Sequence, residues 1–310
     1  DMGIFFFGEE LDITDMGYQI SNDWLFLGSQ NGLKFSDYDE SSIFLSNEFE
    51  VGYSFESNAD LDKSSQSTYL TYKSSFRNTS NIEFTNFYRT PSKDFWITRG
   101  SLISPYIKKP RNYGTKLQFM GPSTDFFKYI LEVKREKGSQ WSFSALGFKT
   151  SYMAMADFTP RDNLSLSLMY QHSKEDDWLN WIEDNLLGIY KQKQRTTIAS
   201  MNWFGGDKHE LRMKAQMVAF TAREPGAYLG DATGSLNPIE MVLPPFSLSD
   251  LAFQVRYRYE ILPLAYLYVV YTKGGRIVEL DEEDSLDKLY KRPWNDPQAD
   301  NFTVKVRYRF

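Results

Sequence analysis

The sequence predicts an all-β protein, a transmembrane antiparallel β-barrel that residues 1–310 form as a single domain. Three observations lead to this fold class. Apolar and polar residues alternate with a period of two in one run after another, as they do along strands. Short and long connections take turns between these runs. Aromatic residues make up 16% of the chain, which is a high load for a protein whose mean hydropathy is only −0.49.

The alternating runs predict about 14 strands, with roughly 12 to 16 as the range. Most of them have at least the 9 to 11 residues that a tilted membrane strand needs. The predicted strands are 3–8, 24–36, 42–55, 66–76, 80–90, 112–121, 126–136, 140–157, 162–173, 193–204, 208–222, 248–259, 263–273 and 301–310. Helical periodicity is scarce, and residues 176–190 are the one reasonable candidate for a helix.

The connections fall into two classes, which indicate short periplasmic turns and long extracellular loops. One brief connection at 137–139 departs from this rhythm. The short connections are near 37–41, 77–79, 121–125, 158–162, 205–207 and 260–262. The long ones are near 9–23, 56–65, 91–111, 174–192, 223–247 and 274–300.

Bulk composition narrows the function classes. The formal charge of −6 and the pI near 5.2 give no overall basic field, so we expect no nucleic-acid partner. The chain has no cysteine, which excludes disulfides and thiolate metal sites. No stretch approaches the roughly 18 to 20 apolar residues of a membrane helix. We therefore expect a multi-pass β-barrel in the cell outer membrane, in contact with its lipid and lipopolysaccharide.

The final strand carries the clearest alternation in the chain. Its predicted lipid-facing residues are Phe302, Val304, Val306, Tyr308 and Phe310. The residues between them would face the lumen. The predicted lumen-facing charged residues of the whole chain are Lys305, Arg307, Arg309, Arg256, Arg258, Arg212, Lys214, Glu48 and Glu50. The cations lie on late strands, and the carboxylates, Glu83 among them, lie on early strands. Together they would set up an electric field across the lumen. Alternatively, these charged residues form ion pairs with each other or with a loop that folds into the lumen.

Two further stretches raise alternatives. The strand 263–273 is apolar on both faces, so it is expected to pack against a plug inside the barrel or another protein outside it. The acidic loop 279–301 could offer oxygen ligands to Ca²⁺, but it matches no EF-hand spacing. A solvated acidic loop is the better interpretation, and no metal or other cofactor is expected.

Catalysis has little support in the sequence. The only histidines are His172 and His209, which fall at opposite ends of the predicted strands and cannot share a site. No motif joins either of them to a serine or aspartate as in a hydrolase. We expect that the protein is not an enzyme.

Three stretches together resemble a known family: "FFGEELDITDMGY", "YRYEILPLAYLYVVYTKGGR" and "VKVRYRF". They are similar to the C-terminal outer-membrane barrel region of a bacterial family that joins a family-9 carbohydrate-binding-like domain to a barrel of unknown function. The resemblance implies that the binding domain, and some first barrel strands with it, precede residue 1 in a longer precursor. It also implies that the aromatic end at Phe310 is recognised by the outer-membrane insertion machinery.

Two functions remain open on the sequence. The first is a transport, secretion or gated-pore barrel, which the long loops and the charged inward positions favour. The alternative is a structural anchor or scaffold, which holds a surface binding domain or a partner complex. The apolar inner face of residues 263–273 favours this second reading.

Overall fold

A computed structural model describes residues 2–58 apart from 8–23, residues 65–138 apart from 96, and residues 146–308 apart from 281–284. Seventeen strands and one helix are seen in these residues. They are β1 Met2–Phe7, β2 Trp24–Phe35, β3 Phe44–Ser57, β4 Ser65–Phe76, β5 Asn81–Arg89, β6 Ser92–Asp94, β7 Ile107–Lys109, β8 Asn112–Met120, β9 Phe127–Lys137, β10 Phe148–Arg161, β11 Leu164–Glu183, β12 Leu186–Gly205, β13 His209–Gly230, β14 Leu236–Ile239, β15 Phe246–Leu262, β16 Ala265–Leu280, α1 Leu286–Asn295 and β17 Ala299–Arg307.

One antiparallel sheet contains most of these strands and confirms the predicted all-β antiparallel architecture of about 14 strands. Its hydrogen-bonded path runs β1-β2-β3-β4-β5-β8-β9-β10-β11-β12-β13-β15-β16-β17, which is fourteen strands among the described residues. The short β14 pairs only with β13, and β6 and β7 form a separate ribbon. Sequential strands are therefore neighbours throughout, apart from β6, β7 and β14. Within the described residues, no pairing joins β1 to β17, so this sheet is not closed.

Residues 176–190, the candidate helix, instead form the end of a β-hairpin. Strand β11 continues to Glu183 and β12 starts at Leu186, so only Asp184 and Asn185 lie between them. Two register shifts interrupt the pairing, one between Glu175 and Trp178 and one near Glu183. Each bulge adds a residue and breaks the period of two. This is why the stretch imitates a helical pattern in the sequence.

The sheet has two chemically different faces. Residues paired directly across antiparallel strands point to the same side, so the register defines rows that cross the sheet. The row that includes Leu168 also contains Ala156 and Ala199, and the next row contains Tyr170. We call this side the apolar face. The opposite side, which includes Ser167, Gln171 and Glu175 of β11, is the polar face.

The three longest strands exceed the length that a membrane requires. β11, β12 and β13 have 20, 20 and 22 residues, whereas about 9 to 11 tilted residues cross a bilayer. On the apolar face of β11, Leu166, Leu168 and Tyr170 are followed by His172 and then by the exposed Lys174. The segment beyond Lys174 therefore extends past the apolar zone, at the end of the sheet that carries the long loops.

Helix α1 lies in the predicted acidic loop and corrects the expectation of a purely solvated segment. The Ser285 side chain accepts a hydrogen bond from the Lys288 backbone N–H and so caps the helix at its start. Leu289 and Pro293 are buried. No described helix has the length and apolar character that crossing a membrane would demand.

Candidate functional site: the polar face and the segment that covers it

The polar face of the early strands carries a row of charges of both signs. The row crosses β2, β3, β4, β5, β8 and β9 and contains, in that order, Lys34, Glu48, Lys73, Glu83, Gln118 and Glu132. Glu83 also forms a salt bridge with Lys116 of the neighbouring row, at 2.5 Å. The predicted Glu48 thus has a lysine on each side, so this half of the face is mixed in charge rather than acidic.

Glu50 lies one row further along β3, on the same face. Its carboxylate accepts a hydrogen bond from the Tyr69 hydroxyl, and Tyr69 sits above Gly52 on the neighbouring strand. A side chain at position 52 would collide with the Tyr69 ring, since a Cβ there would lie only 2.0 Å from a ring carbon. The glycine therefore allows the ring to lie flat across β3 and reach Glu50.

The polar face of the late strands is basic and is organised around one buried carboxylate. The Glu210 side chain is only 3% exposed and forms salt bridges with Arg212, Arg256 and Arg258. The distance is 2.8 Å to Arg258 and 3.3 Å to Arg256. Glu210 is not among the residues predicted from the sequence, although its period-two spacing from Arg212 and its place beside a short turn could have indicated it. For these arginines, the pairing alternative is the one that the structure supports.

Three other predicted lumen residues extend this basic region. Lys305 lies in the row that contains Glu210, Arg258 and Tyr268. Arg307 lies one row closer to the short turns, beside Tyr266, whose ring is contacted by Arg258 at 5.3 Å. Lys214 lies two rows from Glu210 in the direction of the long loops. This part of the polar face holds six cations (Arg212, Lys214, Arg256, Arg258, Lys305 and Arg307) against two carboxylates, Glu210 and Glu260.

The predicted lipid-facing residues of β17 lie on the other side of that strand. Phe302, Val304 and Val306 pair with Tyr271, Val269 and Leu267, and all three are more than half exposed. Tyr308 follows the strand and is also exposed. The assignment of these side chains to lipid, and of Lys305 and Arg307 to a lumen, stays a prediction. Arg309 and Phe310 lie outside the described residues.

The connection between β5 and β8 folds back over the loop end of the sheet. We call residues 92–109 the covering segment. Ile107 is fully buried in a cluster with Leu179 of β11 and Leu187 of β12. The Lys108 backbone N–H donates to the Gly234 carbonyl at 2.8 Å, beyond the end of β13. The segment therefore leaves β5 and docks on strands four to six positions away along the sheet.

Buried charges lie where the covering segment meets the polar face. Lys109 and Asp94, both from the segment, approach to 3.9 Å, and their side chains are 9% and 1% exposed. Glu175 of β11 lies 3.7 Å from Lys149 of β10 and is 1% exposed. These side chains are buried although the polar face would otherwise be open to water.

Burial shifts the pKa of two of these groups, Glu175 and Lys109. It raises the pKa of Glu175 to about 7, against the opposing attraction of Lys149, and the charges of Glu136 and Asp177 add to the rise. Glu175 lies beyond the exposed Lys174 and so outside the apolar zone of β11. Burial also lowers the pKa of Lys109, while Asp94 and Glu175 partly offset this effect.

An aromatic cluster stands on the polar face, on the side of β12 opposite to Leu187 and the docked Ile107. Trp178, Tyr190, Phe220 and Phe246 have ring centroids 5.3 to 6.1 Å apart in their contacting pairs. Tyr190 is 2% exposed. No pattern in the sequence indicates this cluster, because its members come from four different strands.

Helix α1 packs on the apolar face rather than on the polar face. Asp287 pairs with Arg195, the Tyr290 hydroxyl lies 2.8 Å from that of Thr197, and the Trp294 ring contacts Phe253. Ala219 and Leu251 of the same face are buried at 0% and 2% exposure. Helix α1, a segment of the same chain, thus covers part of the apolar face of β13, β15 and β16. The expectation that residues 263–273 pack on a plug or on another protein stays a prediction.

The histidines do not form a site. His209 Nδ1 lies 2.6 Å from the Tyr257 hydroxyl beside a short turn. His172 is in the row of Arg195 and Ala219, and Ala219 is ten residues along β13 from His209, or roughly 33 Å at 3.3 Å per residue. Within the described ranges, no group of three or more His, Asp or Glu side chains is placed to hold a metal ion.

Comparison with known proteins gives similarity at the level of solved structures alone. No protein-family model matches the chain, and no curated protein matches it. The NanC porin, solved in a rhombohedral crystal form, is 6% identical with a TM-score of 0.24, over 81% of this chain and 97% of that one. The siderophore receptor PirA from Acinetobacter baumannii is 8% identical with a TM-score of 0.36, over 96% of this chain. The chain spans 57% of the length of that receptor, and the proposals below rest on this chain's own residues.

Proposed function

We propose that the chain is an outer-membrane β-barrel that transports a solute through its lumen, with the covering segment as its gate. The apolar face lies in lipid and the polar face lines the lumen. One observation carries the proposal: residues 92–109 reach the loop end of the charged polar face, where the buried Lys109 lies close to Arg89, Asp94 and Glu175. Ile107 anchors the segment on Leu179 and Leu187, on the opposite side of the β11–β12 hairpin. A gate of this kind controls access without closing the lumen over its whole length.

The charges of the polar face favour an anionic solute. In the part of the polar face of β13 to β17 that lies nearer the short turns, six cations stand against two carboxylates, whereas the early strands alternate in sign. A charged lining in a narrow, low-dielectric lumen concentrates ions of the opposite sign. Glu210 reduces the field but cannot neutralise three arginines.

Single-channel recording in planar bilayers tests the proposal. We expect discrete current steps that favour anions over cations, and an increase in open time when the covering segment is undocked. A folded protein that carries no current at any voltage, both intact and with the segment undocked, would exclude a transport barrel.

The alternative function is a structural anchor, in which the covering segment fills the mouth of the barrel and stabilises it. It is supported by the depth of burial under the covering segment, where Asp94, Glu136 and Glu175 are all at most 4% exposed. Gentle extraction from membranes and identification of stoichiometric companions separates the two functions. A fixed protein partner together with a sealed lumen would favour the anchor.

A further inference from the structure

The apolar face carries a band of cations directly above its apolar zone. We define the basic band as Arg135 and Lys137 of β9, Lys174 of β11, and Lys191 and Lys193 of β12. Arg135, Thr150, Lys174 and Lys193 form one continuous row across β9, β10, β11 and β12. Neighbouring strands are about 4.8 Å apart, so the three cations of this row lie within roughly 15 Å of each other.

The surface beside the band is exposed and apolar. One row closer to the short turns, on the same face, are Val133 and Tyr152, which are 40% and 53% exposed. Leu131 and Tyr170 follow in the next row and are also exposed. A ligand that touches both zones needs a negative group and an apolar body joined together.

The band is only partly neutralised by its own chain. Lys174 pairs with Asp176 at 3.3 Å and Lys191 pairs with Glu224, and all four side chains are about half exposed or more. Exposed pairs of this type contribute little and exchange readily. Among the described residues, Arg135, Lys137 and Lys193 belong to no salt bridge, although Arg135 and Lys137 both contact the ring of Phe148.

We propose that the basic band binds the phosphates of an anionic lipid in the outer leaflet, whose acyl chains lie along the exposed apolar surface of β9 to β12. The proposal rests on the membrane location proposed above. The positive charge of the basic band favours an anionic headgroup. Because the band is continuous with the exposed apolar rows, a lipid fits this surface better than a soluble anion or a protein does. Lysine and arginine near a membrane surface each attract anionic lipid measurably.

The test measures binding of lipid A, which carries two phosphates, to the purified full chain in a zwitterionic detergent. The variant Arg135→Gln/Lys174→Gln/Lys193→Gln removes the row. The matched control Lys128→Gln/Arg161→Gln/Lys208→Gln removes three exposed cations near the short turns. We expect the first variant to weaken binding roughly tenfold or more, and the control to stay within about twofold of the parent. Added salt should weaken binding by the parent, because exposed charges are screened.

Dephosphorylated lipid A separates phosphate recognition from acyl-chain contact. If it binds as tightly as the phosphorylated form, or if the row variant binds like the control, the proposal is wrong. Folding of each variant is checked by the heat-dependent gel shift of barrels. Should the triple variant fail to fold, Lys193→Gln alone carries the test at an exposed position, with a loss of roughly threefold expected. If the chain binds lipid A but carries no current, the transport proposal alone is wrong. If the chain carries current but its binding of lipid A does not depend on the phosphates, the lipid-site proposal alone is wrong.

Discussion

Ile107 of the covering segment and Leu179 of β11 are buried together, at 0% and 1% exposure, although their strands are far apart in the sheet. From β5, where the segment starts, the path passes through β8, β9 and β10 before it reaches β11. This contact anchors the segment on the side of the β11–β12 hairpin opposite to Tyr190, next to the loop end of the polar face. It is the mechanical basis of the proposed gate.

Ile107→Asp should undock the covering segment. Burying an uncompensated carboxylate among Leu179 and Leu187 costs more than the about 2 to 5 kcal/mol of an Ile→Ala change, so the undocked form should predominate. Bilayer recordings should show a longer open time, and protease should cut within residues 92–109. The control Ile103→Asp changes a residue of the same segment that is 58% exposed, and it should behave like the parent. Equal effects of the two substitutions would argue against docking through Ile107.

Glu175 should make the gate depend on pH. Its pKa is raised by burial to about 7, above the ordinary value near 4.5, so the docked form holds a proton that the exposed form gives up. Docking should therefore be most stable below about pH 4.5, weaken as the pH rises from there to about 7, and then level off. The groups that face Glu175 are Lys149, Glu136, Asp177 and Lys109.

The measurement is protease sensitivity of the covering segment against pH. Glu175→Gln should keep the segment docked at pH 8 and flatten the profile, because the amide carries no charge. Asp176→Asn, at a half-exposed neighbour, should leave the profile unchanged. A rise of docking stability with pH in the parent would contradict the assignment.

Glu210→Gln should destabilise the barrel and increase its anion selectivity. The substitution leaves Arg212, Arg256 and Arg258 without their common partner. Removing one member of a buried charge cluster costs about 3 to 5 kcal/mol. Urea unfolding and reversal potentials in a salt gradient measure the two effects. Asp207→Asn, exposed in the adjacent turn, should change neither.

The two faces of β17 should respond differently to charge. Val306→Arg places a cation on the apolar face, where it costs about 2 to 4 kcal/mol near mid-membrane, so insertion or stability should fall markedly. Arg307→Gln should leave folding intact and alter only ion selectivity. Folding yield into vesicles compares the variants. If both were equally harmless, lipid would not distinguish the two faces of this strand.

The long connections should lie on the cell exterior. Protease added to intact cells should cut in 231–245, which is beyond β13, and in 281–298, and it should spare the turns near 205–207 and 260–262. Cleavage near Leu289 should be slow because this side chain is 1% exposed against the sheet. The reverse pattern would invert the topology of the barrel.

The sequence by itself determined the class of fold and the order of the strands. Alternation such as that of Phe302, Val304 and Val306 with Lys305 and Arg307 is a local signal, because neighbouring side chains of a strand point to opposite faces. Each short turn then pairs a strand with the next one. Fourteen sequential strands could therefore be predicted without knowing any distant contact.

Only the tertiary structure decided where the long connections go and which charges meet. Ile107 reaches Leu179, Asp287 reaches Arg195, and Glu210 collects arginines from two strands. Each of these contacts depends on the curvature of the sheet and on the register of strands that are distant in sequence. The bulges near Glu175 and Glu183 show the same limit, since they turned a strand pattern into an apparent helix. The local periodicity of the sequence carries no information about contacts between residues that are distant along the chain.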